Sequence, residues 1–313
     1  MKGPCILAQR SAREALNERV AVLRSHVKAA AAHDVDGIHD LRVASRRLRA
    51  IIEDASGRFR KRALKLFRKR VRTITQGLGK ARELDVSIGL LGEIKKNALK
   101  ELHPAIARTI RFLRKQRDEE SKSVDQSCAQ VRAKSFSEEL DALIDADKGS
   151  SKCYRKDTRA ALRRRYKTLS DAYHDWQKSP SDESLHTVRV AFKKLRYSCE
   201  IAKHLYAQRM EEFVAQVKAA QEVLGDWNDM RVLRDYVMTC AKKHDKDQKN
   251  FAALENLCHE RAQTDLGKFV ELAPAMFDKA GNTSALKVFA KQHQQCCIRR
   301  NPKSDITRVE VDQ

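Results

Sequence analysis

Apolar residues recur every three to four positions along almost the whole chain, the spacing of one face of an α-helix. Leu16, Val20, Leu23 and Val27 form one such run. Leu64, Phe67, Val71, Ile74 and Leu78 form a second, and Leu162, Tyr166, Leu169, Tyr173 and Trp176 a third. No useful length alternates apolar with polar residues as a half-buried strand would. The pattern predicts an all-α chain of long amphipathic helices packed as bundles. Turn-formers are scarce, with 11 Gly and 5 Pro in 313 residues, which leaves little room for hairpins. Breaks are expected near residues 34–37, at Gly57, at residues 77–79, at His103-Pro104 and at Ser179-Pro180. The polar stretch 145–152, interrupted by Gly149, is the expected boundary between a domain at 1–147 and another at 148–298. Residues 299–313 lack helical periodicity and are expected to fray.

The chain also repeats itself. DGIHDLRVASRRLRAIIE, residues 36–53, aligns without gaps to ESLHTVRVAFKKLRYSCE, residues 183–200. His39 matches His186, Arg42 matches Arg189, Arg46 and Arg47 match Lys193 and Lys194, and Arg49 matches Arg196. Downstream, LGKARELDV from Leu78 corresponds to LGDWNDMRV from Leu224 after a one-residue slip. Upstream, Arg13 and Arg159 each stand one helical turn before an apolar run. Two copies of one helical module are therefore present.

On a helix the repeated motif separates into two stripes. At 100° per residue, His39, Arg42, Arg46 and Arg49 stack over three turns, opposite Leu41, Ala44, Leu48, Ile51 and Ala55. The second copy sets His186, Arg189, Lys193 and Arg196 opposite Val188, Ala191, Leu195 and Ala202. Arg47 and Lys194 stand on the flank. Lys65, Arg68 and Arg72 line one side of the next amphipathic run, so two cationic stripes are expected to border one groove. In the second copy Lys218 matches Arg72, but Glu211 and Val214 replace Lys65 and Arg68, which predicts a groove lopsided toward the N-terminal half.

Charge gives these stripes a partner. With 64 Lys+Arg against 42 Asp+Glu, the formal net charge is +22, a field that concentrates polyanions. Arginine's planar fork suits phosphate oxygens, and cations repeated at each helical turn suit a ligand that repeats its own charge. A linear polyphosphate or a nucleic-acid backbone fits better than one small anion. A histidine beside arginines has its charged form disfavoured until an anion arrives. A lysine/arginine run on one helix is ordinarily a solvated face; repetition of the whole pattern, histidine included, favours a binding stripe. Eight cysteines show no C-x-x-C pair and no disulfide framework, and no segment has the length of a membrane span. The expectation is a cytoplasmic chain with reduced thiols and no membrane partner.

His39, Arg42, Arg46, Arg47 and Arg49 followed by Leu78-Gly79, then His186, Arg189, Lys193, Lys194 and Arg196 followed by Leu224-Gly225, resemble the duplicated H-x-x-R-x-x-x-[RK]-[RK]-x-R helix of the CHAD family, the conserved histidine α-helical domain. The resemblance spans about residues 6–295. It implies two antiparallel four-helix bundles related by internal pseudo-twofold symmetry, whose basic stripes meet in a central groove or pore. It further implies binding of long-chain inorganic polyphosphate, with polyphosphate granules and their associated proteins as expected partners. Arg13, Arg159, Lys65, Arg68, Arg72, Lys218, Arg47 and Lys194 are expected to support the His/Arg/Lys stripes in that role. No cofactor, metal or catalytic residue is expected.

Two other functions compete. Nucleic acid is a weaker electrostatic competitor, because base-stacking platforms need exposed aromatics and the aromatics sit on core stripes. A metal-dependent phosphohydrolase needs carboxylates on the cationic face. The acids of the two L-G segments, Glu83, Asp85, Asp226 and Asp229, are expected to form salt bridges within the fold instead.

Overall fold

The computed structural model describes residues 6–145, 154–206, 211–244 and 247–277. The predicted boundary at 145–152 and the tail at 299–313 lie almost wholly outside these. Every regular element described is helical. In chain order the α-helices are α1 (Ile6–Ser25), α2 (Val27–Ala31), α3 (Val35–Asp54), α4 (Lys61–Gly77), α5 (Gly79–Asn97), α6 (His103–Glu119), α7 (Ser121–Arg132), α8 (Lys134–Asp145), α9 (Tyr154–Lys178), α10 (Asp182–Tyr206), α11 (Glu211–Ala241), α12 (Gln248–Leu272) and α13 (Pro274–Phe277), with short 3-10 turns at Ser56–Arg58 and Lys100–Leu102.

The breaks follow local chemistry. Asp34 caps α3 by accepting the Gly37 amide at 2.7 Å, satisfying a donor that no helical carbonyl can reach. Gly37 is needed for contact as well, since a Cβ there would stand 2.6 Å from the backbone of Ala29 on α2. Leu78 forms the turn between α4 and α5, whereas the matching Leu224 lies inside the unbroken α11. His103, expected in a loop, is instead the first residue of α6; Pro104 occupies the first turn, where its missing N–H costs nothing. Replacing Asp34 by alanine is expected to destabilise the fold by about 1 kcal/mol, measured by thermal or urea denaturation.

The described core forms three apolar clusters. Residues of α1–α4, the start of α5, α7 and α8 surround Phe67 and Phe136. Residues of α9, α10, α12, α13 and the first half of α11 surround Phe192, Phe269 and Tyr173. The third cluster draws on both halves of the chain, packing Leu84, Leu91 and Ile94 of α5 and Ile106 and Leu113 of α6 against Leu233 and Val237 of α11 and Phe251 and Leu254 of α12. It exists because α5 and α11 run on past the first two clusters and their apolar faces must be covered. Four described cysteines, Cys128, Cys199, Cys240 and Cys258, are free and buried. Burial pushes their thiols up, Cys258 to about 12, so they stay protonated and unreactive. No helix among the described residues is long and apolar enough to cross a membrane.

The two motif helices, α3 and α10, pack against one another, and both α1 and α3 touch α9. Polar side chains fasten this seam. Arg47 of α3 donates to Glu200 of α10 at 2.8 Å, and Arg165 of α9 holds Glu53 at 2.8 Å and Asp54 at 3.2 Å. The Ser198 hydroxyl donates to Asp54 at 2.5 Å. Burial raises the Asp54 carboxyl despite these donors.

Candidate functional site

The apolar stripes of α3 and α10 are buried, with Leu41, Leu48, Val188 and Leu195 at 0 % exposure. Their opposite stripes are thereby aimed along the seam. Arg42 and Arg46 of α3 meet Arg189 and Lys193 of α10, and each of these last two is depressed by charges from the facing helix. Burial, then Arg46, lowers the Arg42 guanidinium to about 10. Burial, then Arg189, Arg46 and Arg42, lowers the Lys193 ammonium to about 6, with only Asp229 raising it. At neutral pH most of the Lys193 population is therefore a neutral amine.

Both histidines stand at the ends of this group and are lowered below their ordinary value. Burial is the first cause in each, followed by Arg82 for His39 and countered by a hydrogen bond to Asn228 (3.4 Å) for His186. Two further arginines thus belong to the site. Arg82 of α5 acts on His39 and Arg42, and Arg231 of α11 acts on His186 and Arg189. The Arg42 guanidinium also passes the L-G turn, 3.9 Å from where a Cβ on Gly79 would sit. Tyr197 completes the set: its ring lies 5.3 Å under the Arg46 guanidinium and its hydroxyl neighbours Arg42 and Arg189. An aromatic does therefore stand within the basic stripe, contrary to expectation. It is half-buried against the first core cluster rather than free to stack on a base.

The remaining stripe residues divide. Arg49 is held by Glu53 at 3.8 Å and feels Arg72 and Arg68 of α4, which extends the cationic surface in that direction. Lys65, Arg68 and Arg72 are exposed. At the other side Arg196 turns to Glu200 (3.0 Å) and Gln221 (3.3 Å). Arg47 is likewise engaged by Glu200. Lys218 is exposed and 3.5 Å from Glu222, and Lys194 is exposed. Arg13 donates to the Ile144 carbonyl at 3.5 Å, and Arg159 is half-buried on α9.

The acids of the L-G segments disperse among different partners. Glu83 accepts from Lys80 at 2.9 Å and from the Tyr236 hydroxyl at 2.6 Å, Asp85 binds Arg117 at 2.7 Å, and Asp229 lies 3.6 Å from Arg189. Asp226 and Asp229 border a cavity of about 330 Å³ that Asp265 and Lys268 also line. Among the described residues no three His, Cys, Asp or Glu side chains gather in a way that could hold a metal ion.

Among the described residues six arginine Nε groups are buried without an acceptor; those of Arg42, Arg49, Arg189 and Arg231 lie in this site, and those of Arg165 and Arg234 lie outside it. A buried N–H without a partner costs about 1–3 kcal/mol, and here the cost is compounded by like charge. The site thus combines convergent cations with unused guanidinium donors.

A family model described as "CHAD domain" matches residues 14–237. The structure resembles the crystal structure of a CHAD domain from the plant Ricinus communis, with a TM-score of 0.64, 17% identity, and coverage of 90% of this chain and 91% of that one. It also resembles PptA from Streptomyces chartreusis, with a TM-score of 0.61, 13% identity, and coverage of 86% and 99%. Uncharacterized proteins from two strains of Mycobacterium tuberculosis are 26% identical over 241 residues, 72% of this chain. The chain spans 44% of the length of those relatives.

Proposed function

The chain belongs to the CHAD family, and from that premise we propose that it binds long-chain inorganic polyphosphate, without catalysis, in the seam between α3 and α10. CHAD domains are associated with polyphosphate binding in general. The observation that carries the reading to this chain is the meeting of Arg42, Arg46, Arg189 and Lys193, with the unpartnered donors of Arg42 and Arg189 among them. Polyphosphate supplies acceptor oxygens and one negative charge per unit, without bases that need stacking surfaces. Arg82 and Arg231 extend the contact at the L-G segments, and Arg49, Arg68 and Arg72 extend it along α4. In this arrangement the two repeats are pseudo-twofold-related four-helix bundles and the ligand lies along their seam. Association with polyphosphate granules in the cytoplasm follows from such binding.

A titration of long-chain polyphosphate against single- and double-stranded DNA at matched ionic strength tests the proposal. Polyphosphate is expected to bind more tightly at physiological salt, with an affinity that falls linearly in log–log form as salt rises. DNA binding of equal strength would overturn it. Release of inorganic phosphate from polyphosphate with added magnesium would overturn the non-catalytic part alone.

A further inference from the structure

Asp229 of α11 is held more loosely than Glu83 and Asp85, the paired acids of the first L-G segment. Its Oδ1 lies 3.6 Å from an Arg189 guanidinium nitrogen, beyond hydrogen-bond reach, and accepts from the Asn228 side-chain amide at 3.3 Å. Oδ2 makes neither a hydrogen bond nor an ion pair among the described residues. Asn228 turns its own amide oxygen to the His186 ring at 3.4 Å. Asp229 thus offsets the charge of Arg189 without satisfying its buried Nε donor. On the other side of the carboxylate lies the cavity of about 330 Å³, where Asp226 and Asp265 present like charge that keeps it toward Arg189. The first repeat differs at the matching position. Glu83 stands five residues after Leu78, as Asp229 does after Leu224, but it is tied to Lys80 and Tyr236 at 2.9 and 2.6 Å. The second copy therefore keeps a displaceable acid where the first has a fastened one.

Resting on the reading that the α3–α10 seam binds phosphate, we propose that Asp229 is a specificity-determining residue, an internal counter-anion of Arg189 that a ligand entering the seam must displace. Arg189 has only 12% of its side chain exposed, whereas Lys65, Arg68 and Arg72 of α4 stand in solvent. A single phosphate chain is thin enough to reach Arg189 between the helices. A DNA duplex is not, and it meets the outer cations instead. The cost of parting Asp229 from Arg189 therefore falls on polyphosphate and spares DNA. The carboxylate in this way sets how far one polyanion is preferred to the other. Once displaced, the partly exposed carboxylate turns to water, and the phosphate takes the Nε donor of Arg189 as well as its charge.

The experiment measures binding of long-chain polyphosphate and of double-stranded DNA to the full chain at matched ionic strength. Asp229→Asn keeps the shape and the acceptor for Asn228 and removes the charge. It is expected to tighten polyphosphate binding on the order of fivefold, with DNA binding changed by less than about twofold. Asp226→Asn makes the same change in net charge beside the same cavity and is expected to shift neither ligand by more than about twofold. In an Arg189→Met background the gain from Asp229→Asn is expected to fall below about twofold, because its partner is gone. Equal gains from Asp226→Asn and Asp229→Asn, an equal gain for DNA, or a gain that survives Arg189→Met overturns the proposal. So does an Asp229→Asn chain that binds polyphosphate no better than the parent. Asp229→Ser is the second replacement and is expected to repeat the gain; loss of the fold in both, read by circular dichroism, makes the residue structural and also overturns it. A parent chain that binds no polyphosphate overturns the binding function. Binding by Asp229→Asn would then uphold the competing carboxylate, and failure of both chains overturns the two together.

Discussion

Lys193→Met is expected to raise the stability of the free protein while weakening polyphosphate binding and abolishing part of its pH dependence. Lys193 has its ammonium lowered from 10.5 to about 6 in the fold. Between those values the unfolded chain binds a proton that the folded chain does not. The free protein therefore loses stability as pH falls from about 10 toward 6, at up to about 1.4 kcal/mol per pH unit, and the loss levels off below 6. Methionine keeps the length of the stem and removes the charge. At neutral pH its stabilisation is expected to be about 1–3 kcal/mol, because folding no longer has to strip the proton that Lys193 keeps in the unfolded chain. Thermal denaturation measures this as a rise of several degrees.

Bound polyphosphate reverses the environment of the same group. A phosphate oxygen beside Nζ favours the ammonium, so binding near pH 7 takes up a proton at Lys193 and fractions at His39 and His186. Affinity is expected to increase as pH falls from 8 to 6, and calorimetry in buffers of different ionisation enthalpy reads the uptake. Lys193→Met removes the largest share and leaves the histidine part. A variant that is destabilised, or that keeps the full proton uptake, would show that the Lys193 environment is not the one described.

The repeat made the pair of stripes legible, because His39 to Arg49 and His186 to Arg196 keep the same spacing and place their apolar residues on the opposite face. Glu211 and Val214, which interrupt the second copy, are the reason the sequence predicts a groove lopsided toward the N-terminal half. Arg82 and Arg231 were not found, although both lie in the quoted L-G segments. Arg82 stands three residues after Gly79 and Arg231 six after Gly225, so a position-by-position match of the copies never pairs them. One helical turn separates those registers, and from different helices both still reach the same seam. Tyr197 was missed for a related reason. Its counterpart is Ala50, and only the crossing of α3 over α10 brings the ring beneath Arg46. The third core cluster was equally hidden, because periodicity tells which face of α5 or α11 is apolar but not which helix covers it.

Charge removal should therefore affect the arginines of one helix unequally, and the contrast between Arg42 and Arg47 is the most direct measure of this. Arg42 and Arg189 each have a buried Nε without an acceptor and no close carboxylate except Asp229, 3.6 Å from Arg189. Arg47 lies five residues from Arg42 but is bound to Glu200 at 2.8 Å. Arg42→Met and Arg189→Met keep the apolar stems, which limits losses from packing. Each is expected to weaken polyphosphate binding about tenfold or more, and the double variant about a hundredfold, from the loss of charged hydrogen bonds worth about 1.5–3 kcal/mol each. The slope of log affinity against log salt should also fall by about one per arginine removed. Arg47→Met should behave differently. It frees Glu200 to pair with Arg196 alone and loosens the junction of α3 and α10, so stability falls while the salt slope stays nearly unchanged. Equal slopes for Arg42→Met and the parent chain would place the ligand elsewhere on the basic surface. A reduced slope for Arg47→Met would mean that its pairing with Glu200 opens to admit phosphate.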